Sequence, residues 1–368
     1  MTENSKETML DYIKKSAEVI RSNLEISQEL TAPLVEEYLK GSYKSIWIIA
    51  SGSSYNGANC AASFISKYLS THVRIITPFT FQHLDHDFTA DDFVFVVSQS
   101  GCSTNSIAAL EVIKAQGAKT IGVCADLNSD MKNYCDLLVD YGIGFETVHY
   151  VTLGVSGFVL FMLLFTIEAA LAKGMIAGTV AHKLKGEIAE AADVHETVQK
   201  QAAKFYETNF LELSSLTTTF IGGIGPGQGI ALEASLKISE TFQVPVLALE
   251  IEEYLHGYTL QVNPLTTLFV IDVGIASKRI QEIYRANKVA TRRTYLITND
   301  LAFVDDPQAV TVDTKISPEI LPLCYLPFFQ YIAYKITADN NKWNKHPVVA
   351  RLESVISGKT ESYNVLPD

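Results

Sequence analysis

The sequence is poor in cysteine and has no short cysteine motif. Cys60, Cys102, Cys124, Cys135 and Cys324 make an odd total of five with no C-x-x-C pair, which excludes a disulfide framework and a structural zinc site. Positive charge is also scarce. With 29 Lys and Arg against 41 Asp and Glu, the net charge is −12, so nucleic acid and anionic membrane are excluded as bulk partners. A small anionic substrate is not excluded, because a local cradle overrides the global field. No apolar run reaches the roughly 20 residues of a spanning helix. The longest, Gly157 to Ile167 between Ser156 and Glu168, reads as a helix buried between domains or subunits. Met1 to Lys15 is charged and lacks the apolar core of a signal peptide, so a reduced, cytoplasmic setting is expected. No metal-ligand spacing is visible, and no cofactor is expected.

What the chain does have is apolar content and repetition. Its 368 residues are 48% hydrophobic, too long for one typical core, which predicts two domains. Ser45 to Ala50 reads as a strand, followed by the glycine turn Ser51-Gly52-Ser53-Ser54 and a helix from about Asn56. Thr217 to Ile221, then Gly222 to Gly227, then a helix from about Gly229, repeat the pattern. Phe93 to Val97 pairs with Leu268 to Asp272, and Thr120 to Val123 with Tyr295 to Thr298, at offsets of 171 to 175 residues. A near-constant offset predicts a duplicated unit. Alternating strands and helices predict two tandem α/β domains, each a doubly wound parallel sheet. The first, 1–190, would hold the N-terminal helices of Met1 to Lys40. The second, 191–368, would follow a helical linker over Ala181 to Lys204 and include an irregular tail.

The segment Ser98-Gln99-Ser100-Gly101-Cys102-Ser103-Thr104 lies between the strand Asp92 to Val97 and a helix over Asn105 to Gln116. Hydroxyls at a helix N-terminus suit a phosphate, since backbone N–H groups and the helix dipole both favour an anion there. An N-cap would explain one hydroxyl but not four. The loop has no Lys and is not a nucleotide P-loop, so it reads as a near-neutral cradle for one phosphate on a small metabolite. In the second copy Val273-Gly274-Ile275 stand where the first has Ser98-Gln99-Ser100, so that cradle reads as lost.

The helix after Gly229 carries Glu233, Lys237 and Glu240. On spacing alone these are the i,i+3 and i,i+4 ion pairs of a solvated helix face. A second cluster, Glu250 to Gly257, adds an acidic run and His256 in a loop after a strand over Pro245 to Leu249. His carries protons near neutral pH, and a carboxylate is a suitable base for a C–H beside a carbonyl. A lone His in a loop is more often merely exposed or hydrogen-bonded.

The tandem units, the S-Q-S-G loop and A-L-E-x-x-L-K-x-x-E together resemble the sugar isomerase (SIS) family, from about Ser45 to Asp339. Similar full-length chains are the isomerase half of glucosamine-6-phosphate synthase and the fructosamine-6-phosphate deglycases. The resemblance implies that Glu240 is the enolisation base. It also implies that His256, 16 residues on, serves ring opening in a neighbouring subunit's site, with Lys237 on the same catalytic helix. It implies sugar-phosphate contacts from Gly52, Ser53 and Ser54, from Ser98, Gln99, Ser100 and Ser103, and from Glu146 and Thr152 of an E-x-x-V-x-x-T motif. Cys102 replaces the usual acidic residue, His149 the motif's Val, and Leu153 a common Lys. Synthases carry a Lys in a C-terminal P-R-N-L-x-K run. Here Pro347 to Leu352 has none, and Lys359 is the candidate substitute.

Met1-Thr2-Glu3 offers no N-terminal Cys nucleophile, so no glutaminase chemistry is expected. Glu253-Tyr254-Leu255-His256-Gly257 is closer to the E-F-F-H-G of deglycases than to the synthase motif. The resemblance therefore implies a deglycase acting on a 6-phosphorylated sugar–amino-acid adduct. Glu250, Glu252 and Glu253 either meet a lysine-derived ammonium or form a solvated acidic loop. The alternatives are an amino-sugar or ketose–aldose phosphate isomerase or deaminase, and a sugar-phosphate sensor. A crossing His256 implies at least a homodimer, with a small sugar phosphate as the ligand.

Overall fold

In a computed structural model, residues 7–363 are described. The readings of the amino terminus and tail extend to Met1–Lys6 and Asn364–Asp368, which lie outside the described residues. The chain divides into two compact units. The first runs to Lys185 and takes in the tail from Lys345 onward. The second is Gly186–Asn344 together with Asn59–Ser63. The expected second domain included the tail, whereas the tail folds with the first unit, for a reason given below.

The first unit opens with α1 (Met9–Glu25) and α2 (Ser27–Tyr38). Thr8 starts α1 with a capping box to Asp11, satisfying orphan N–H groups at the helix start. Then come β1 (Ser45–Ala50), α3 (Gly52–Leu69), β2 (His72–Ile76), α4 (Pro78–His83), β3 (Asp92–Val97), α5 (Thr104–Ala115), β4 (Ile121–Cys124) and β5 (Leu137–Asp140). The strands form one parallel sheet in the order β2-β1-β3-β4-β5. β1 and β3 are continuous apolar runs buried on both faces, as a parallel sheet covered by helices requires. Because the order reverses between β1 and β3, the connections leave to opposite faces and a crevice opens at their carboxyl ends.

Helix α6 (Leu153–Ala172) packs on α1 and α2. It is long and apolar enough to cross a membrane, yet 89% of its most apolar window is buried within the protein. It is thus a buried helix of the first unit, packed on α1 and α2. Glu168, its one acid, accepts from Ser27 at 2.9 Å and pairs with Lys185 at 2.6 Å, so the charge is not left bare.

The second unit contains α7 (Gly178–Thr208), most of which belongs to it, α8 (Phe210–Leu213), β6 (Thr219–Gly223), α9 (Pro226–Phe242), β7 (Val246–Glu250), β8 (Thr267–Ile271), α10 (Ser277–Asn287), β9 (Thr294–Thr298), β10 (Ala309–Thr311) and α11 (Pro322–Asp339). Its parallel sheet has the order β7-β6-β8-β9-β10, the same winding as the first. Strand starts at 45, 72, 92, 121 and 137 recur at 219, 246, 267, 294 and 309, in line with a duplicated unit. The aromatic segment around Phe328 and Phe329 is core, packed in α11 against α9. Among its described residues the tail holds a short helix, α12 (Pro347–Glu353).

Candidate functional site

Two loops meet at the switch point of the first sheet. Helix α3 begins at Gly52, earlier than the sequence pattern suggests, because Gly52 adopts φ +57° and turns the chain straight from β1 into the helix. Gly52, Ser53 and Ser54 are therefore the first helical turn, whose N–H groups have no intrahelical acceptor. Ser53 is buried, Ser54 half-buried and Gly52 exposed. The loops are tied together by Asn105, whose Nδ2 donates to Ser51 Oγ at 3.0 Å. Sequence reasoning missed Asn105.

Ser98 to Ser103 run from β3 into α5. Ser103 is the N-cap residue, but its hydroxyl makes no capping bond. Ser98 Oγ donates to it instead at 3.2 Å, so the simple cap explanation does not hold here. Gly101 has φ +61°, and a Cβ there would lie 1.9 Å from Ser129 Oγ. Gly101→Ala is expected to cost about 1–2 kcal/mol from the left-handed backbone alone, with the clash adding to it. Urea unfolding measures the loss.

The tail completes this loop. Gly358 O accepts from Thr104 N–H at 3.1 Å, and Thr360 N–H donates to Cys102 O at 2.9 Å. Between them Lys359 pairs antiparallel with Ser103, and its Nζ donates to Ser100 Oγ at 2.8 Å and Ser103 Oγ at 3.0 Å. Tyr363, also missed from sequence, sets its ring centroid 4.8 Å from Nζ. No described carboxylate forms an ion pair with Lys359, and burial pushes its pKa down. The cradle is thus not near-neutral. It holds a cation that donates to the Ser100 and Ser103 hydroxyls, which is the complement of an anion. Beside it, Gln99, Ser100, Asp126, His149, Lys359 and Tyr363 line part of a cavity of about 100 Å³.

Glu146 and Thr152 have other duties. Glu146 is buried and accepts from Thr152 N–H at 2.8 Å, Leu153 N–H at 3.0 Å, Gly154 N–H at 3.1 Å and Gln99 Nε2 at 2.7 Å. It caps α6, because a carboxylate answers both the orphan donors and the dipole, and it holds Gln99 in place. Thr152 is fully buried and donates to Tyr150 O at 2.7 Å. Both residues are thus engaged in holding the start of α6 and the S-Q-S-G loop. Glu146→Ala is expected to lower stability by about 2 kcal/mol or more, the upper end for a lost cap, read as a fall in Tm.

In the second unit, α9 starts with Pro226 after Gly225 at φ +54°, a favoured helix opening. Glu233 and Lys237 are each only 1% exposed, so this is not a solvated face. Lys237 Nζ lies 3.5 Å from Glu233 Oε1 and is hydrogen-bonded to Glu240 Oε1. Glu240 is 29% exposed in its side chain and is the member of the trio open to a reacting partner. His256 is exposed, in the loop after β7, with its N–H on Glu253 O at 3.0 Å. The acidic run is largely occupied. Glu250 accepts from the N–H groups of Glu252 and Glu253, and Arg279 grips Glu252 at 2.7 and 2.9 Å, which lowers that carboxyl's pKa. Among the three acids, Glu252 is the one held in an ion pair. Among the described residues no group of three His, Cys, Asp or Glu gathers to hold a metal.

Residues 42–167 match the family described as the SIS domain. The chain carries an SIS domain. It is also homologous to glutamine–fructose-6-phosphate aminotransferase (isomerizing). The Caldanaerobacter subterraneus subsp. tengcongensis protein is 22% identical over 72% of this chain and 42% of its own length. The Chlorobaculum tepidum protein is 26% identical over 80% and 48%. This chain thus spans less than half the length of those relatives. The C-terminal domain of glucosamine-fructose-6-phosphate aminotransferase from Francisella tularensis superposes with a TM-score of 0.82 at 19% identity, covering 94% of this chain and 99% of that domain. The SIS match covers the loops at Gly52 to Ser54 and Ser98 to Ser103, while Lys359 is outside it.

Proposed function

We propose that this chain is a phosphosugar enzyme of the isomerase type and, more specifically, a deglycase for a 6-phosphorylated sugar–amino-acid adduct. One observation carries the phosphosugar reading: Lys359, without a carboxylate partner among the described residues, is held by hydroxyls of the S-Q-S-G loop. The deglycase reading rests on Glu253 to Gly257 and their likeness to the deglycase loop.

The phosphate is held by Ser98, Ser100 and Ser103, by the α3 N-terminus at Gly52 to Ser54, and by Lys359. Gln99 is oriented by Glu146. His256 assists ring opening. Glu240 removes a proton from C1, the amine-bearing carbon beside the C2 carbonyl of the open ketoamine. The electron pair passes to the C2 oxygen as an enaminol. Reprotonation at C2 then leaves a C1 imine, and one water converts it to the hexose 6-phosphate aldehyde and free amine. Lys237, paired to Glu240 and Glu233, holds the Glu240 carboxylate in position. The working setting is the cytoplasm and the assembly at least a dimer, with His256 crossing between copies.

The test supplies fructoselysine 6-phosphate, glucoselysine 6-phosphate and glucosamine 6-phosphate in turn and follows the formation of glucose or fructose 6-phosphate, ketosamine 6-phosphate, free lysine and ammonia. Release from an adduct supports the deglycase. Turnover of glucosamine 6-phosphate alone replaces it with an amino-sugar isomerase or deaminase. Ligand binding without turnover of any of the three points to a sensor.

A further inference from the structure

The second unit repeats the geometry of the S-Q-S-G loop, with a carboxylate where the first has Ser98. In the first sheet Val97 pairs with Val123, and Ser98 N–H donates to Val123 O at 3.0 Å. In the second, Ile271 pairs with Ile297, and Asp272 N–H donates to Ile297 O at 2.9 Å. The hydrogen bonds therefore set Asp272 opposite Ser98, one residue earlier than the sequence alignment places the match. Five residues on, Ser103 and Ser277 correspond, each at the start of a helix. Ser98 Oγ donates to Ser103 Oγ, whereas Ser277 Oγ donates to Asp272 Oδ1 at 2.7 Å.

Asp272 is fully buried and saturated. Oδ1 also accepts from Gly274 N–H at 2.9 Å, and Oδ2 accepts from Gln281 Nε2 and Thr298 Oγ1, each at 3.1 Å. A backbone N–H, two hydroxyls and an amide at a helix N-terminus are donors that suit a phosphate oxygen. Nearby, the buried Tyr325 hydroxyl has no hydrogen-bond partner among the described residues; burial above all holds its proton on, with Cys324 and then Asp272 adding to the effect.

We propose that Asp272 is a built-in anion occupying a second phosphate cradle, so that the chain takes one phosphate ester, in the first unit, and that removing this carboxylate opens a second oxyanion site. The duplication thus left one unit to hold the phosphate and freed the other for chemistry on α9. The proposal rests on the reading of the first cradle as a phosphate site, and the test separates the two.

Inorganic phosphate bound per chain is counted by equilibrium dialysis for the full-length protein and for Asp272→Ser, which restores the residue type of Ser98. The wild-type number tests the first cradle: one is expected, and none would refute that reading alone. The difference tests Asp272. One additional phosphate in the variant supports the proposal, and no gain overturns it. Asp272→Gly covers the case of poor folding. Recovery of its folded yield by phosphate, beyond any effect on wild type, supports the same conclusion. A chain that phosphate neither binds nor refolds overturns it.

Discussion

Glu240→Gln loses about 10²- to 10⁴-fold in kcat, the usual contribution of a positioned general base, and keeps its KM and fold. Glutamine preserves the shape and one acceptor for Lys237 but takes no proton. The loss is specific because the trio on α9 divides its labour by burial. Glu233 and Lys237 are 1% exposed and balance each other's charge, while Glu240 is 29% exposed and reaches outward. Single-turnover kinetics with a sugar phosphate, alongside its binding isotherm, separates the lost chemistry from binding. Full turnover by a folded Glu240→Gln variant would remove Glu240 from the role of base.

Lys359→Met is expected to move two quantities in opposite directions. KM for the sugar phosphate rises about tenfold or more, as expected for a lost charge-assisted hydrogen bond, with a smaller effect on kcat. Stability in phosphate-free buffer rises, because the wild type there buries an ammonium bonded to neutral hydroxyls. Burial lowers the Lys359 pKa in the folded chain, so the unfolded chain binds more protons in the window between that lowered value and the ordinary lysine value of roughly 10.4. Wild-type stability should therefore climb relative to Lys359→Met as pH rises through that alkaline window. Added phosphate should raise the wild-type Tm more than the variant's. Calorimetry across pH, with and without phosphate, reads both signs. A variant that is less stable without phosphate and equally tight in binding would contradict the account.

The parts legible in the sequence were those with local causes. β1 and β3 are apolar runs closed by glycine and serine turns, and their helices follow at once, so the switch-point loops could be placed from spacing. What was hidden depends on distant chain. Lys359 reaches Ser100 from a polar, aperiodic tail, and nothing in a segment with Pro347 and Gly358 announces where it docks. That contact also explains why the tail folds with the first unit. Glu233 and Lys237 share spacing with ordinary surface pairs, and only the tertiary packing around α9 buries them. Glu146 was legible as a residue of interest, but its duty as the α6 cap depends on the loop through Tyr150 bringing Thr152, Leu153 and Gly154 N–H groups to its oxygens. In the second unit, the ladder hydrogen bonds that set Asp272 opposite Ser98 are invisible to residue matching.

The central claim is that the hydroxyl loop and Lys359 form a phosphate-ester site. Calorimetric titration of the Glu240→Gln chain with glucose 6-phosphate and with glucose tests it most directly, since the variant binds without consuming the sugar. The account predicts saturable binding of glucose 6-phosphate at one site per chain and none detectable for glucose, with Lys359→Met weakening the first. Equal binding of the two sugars, or binding of glucose 6-phosphate unaffected by Lys359→Met, would contradict it.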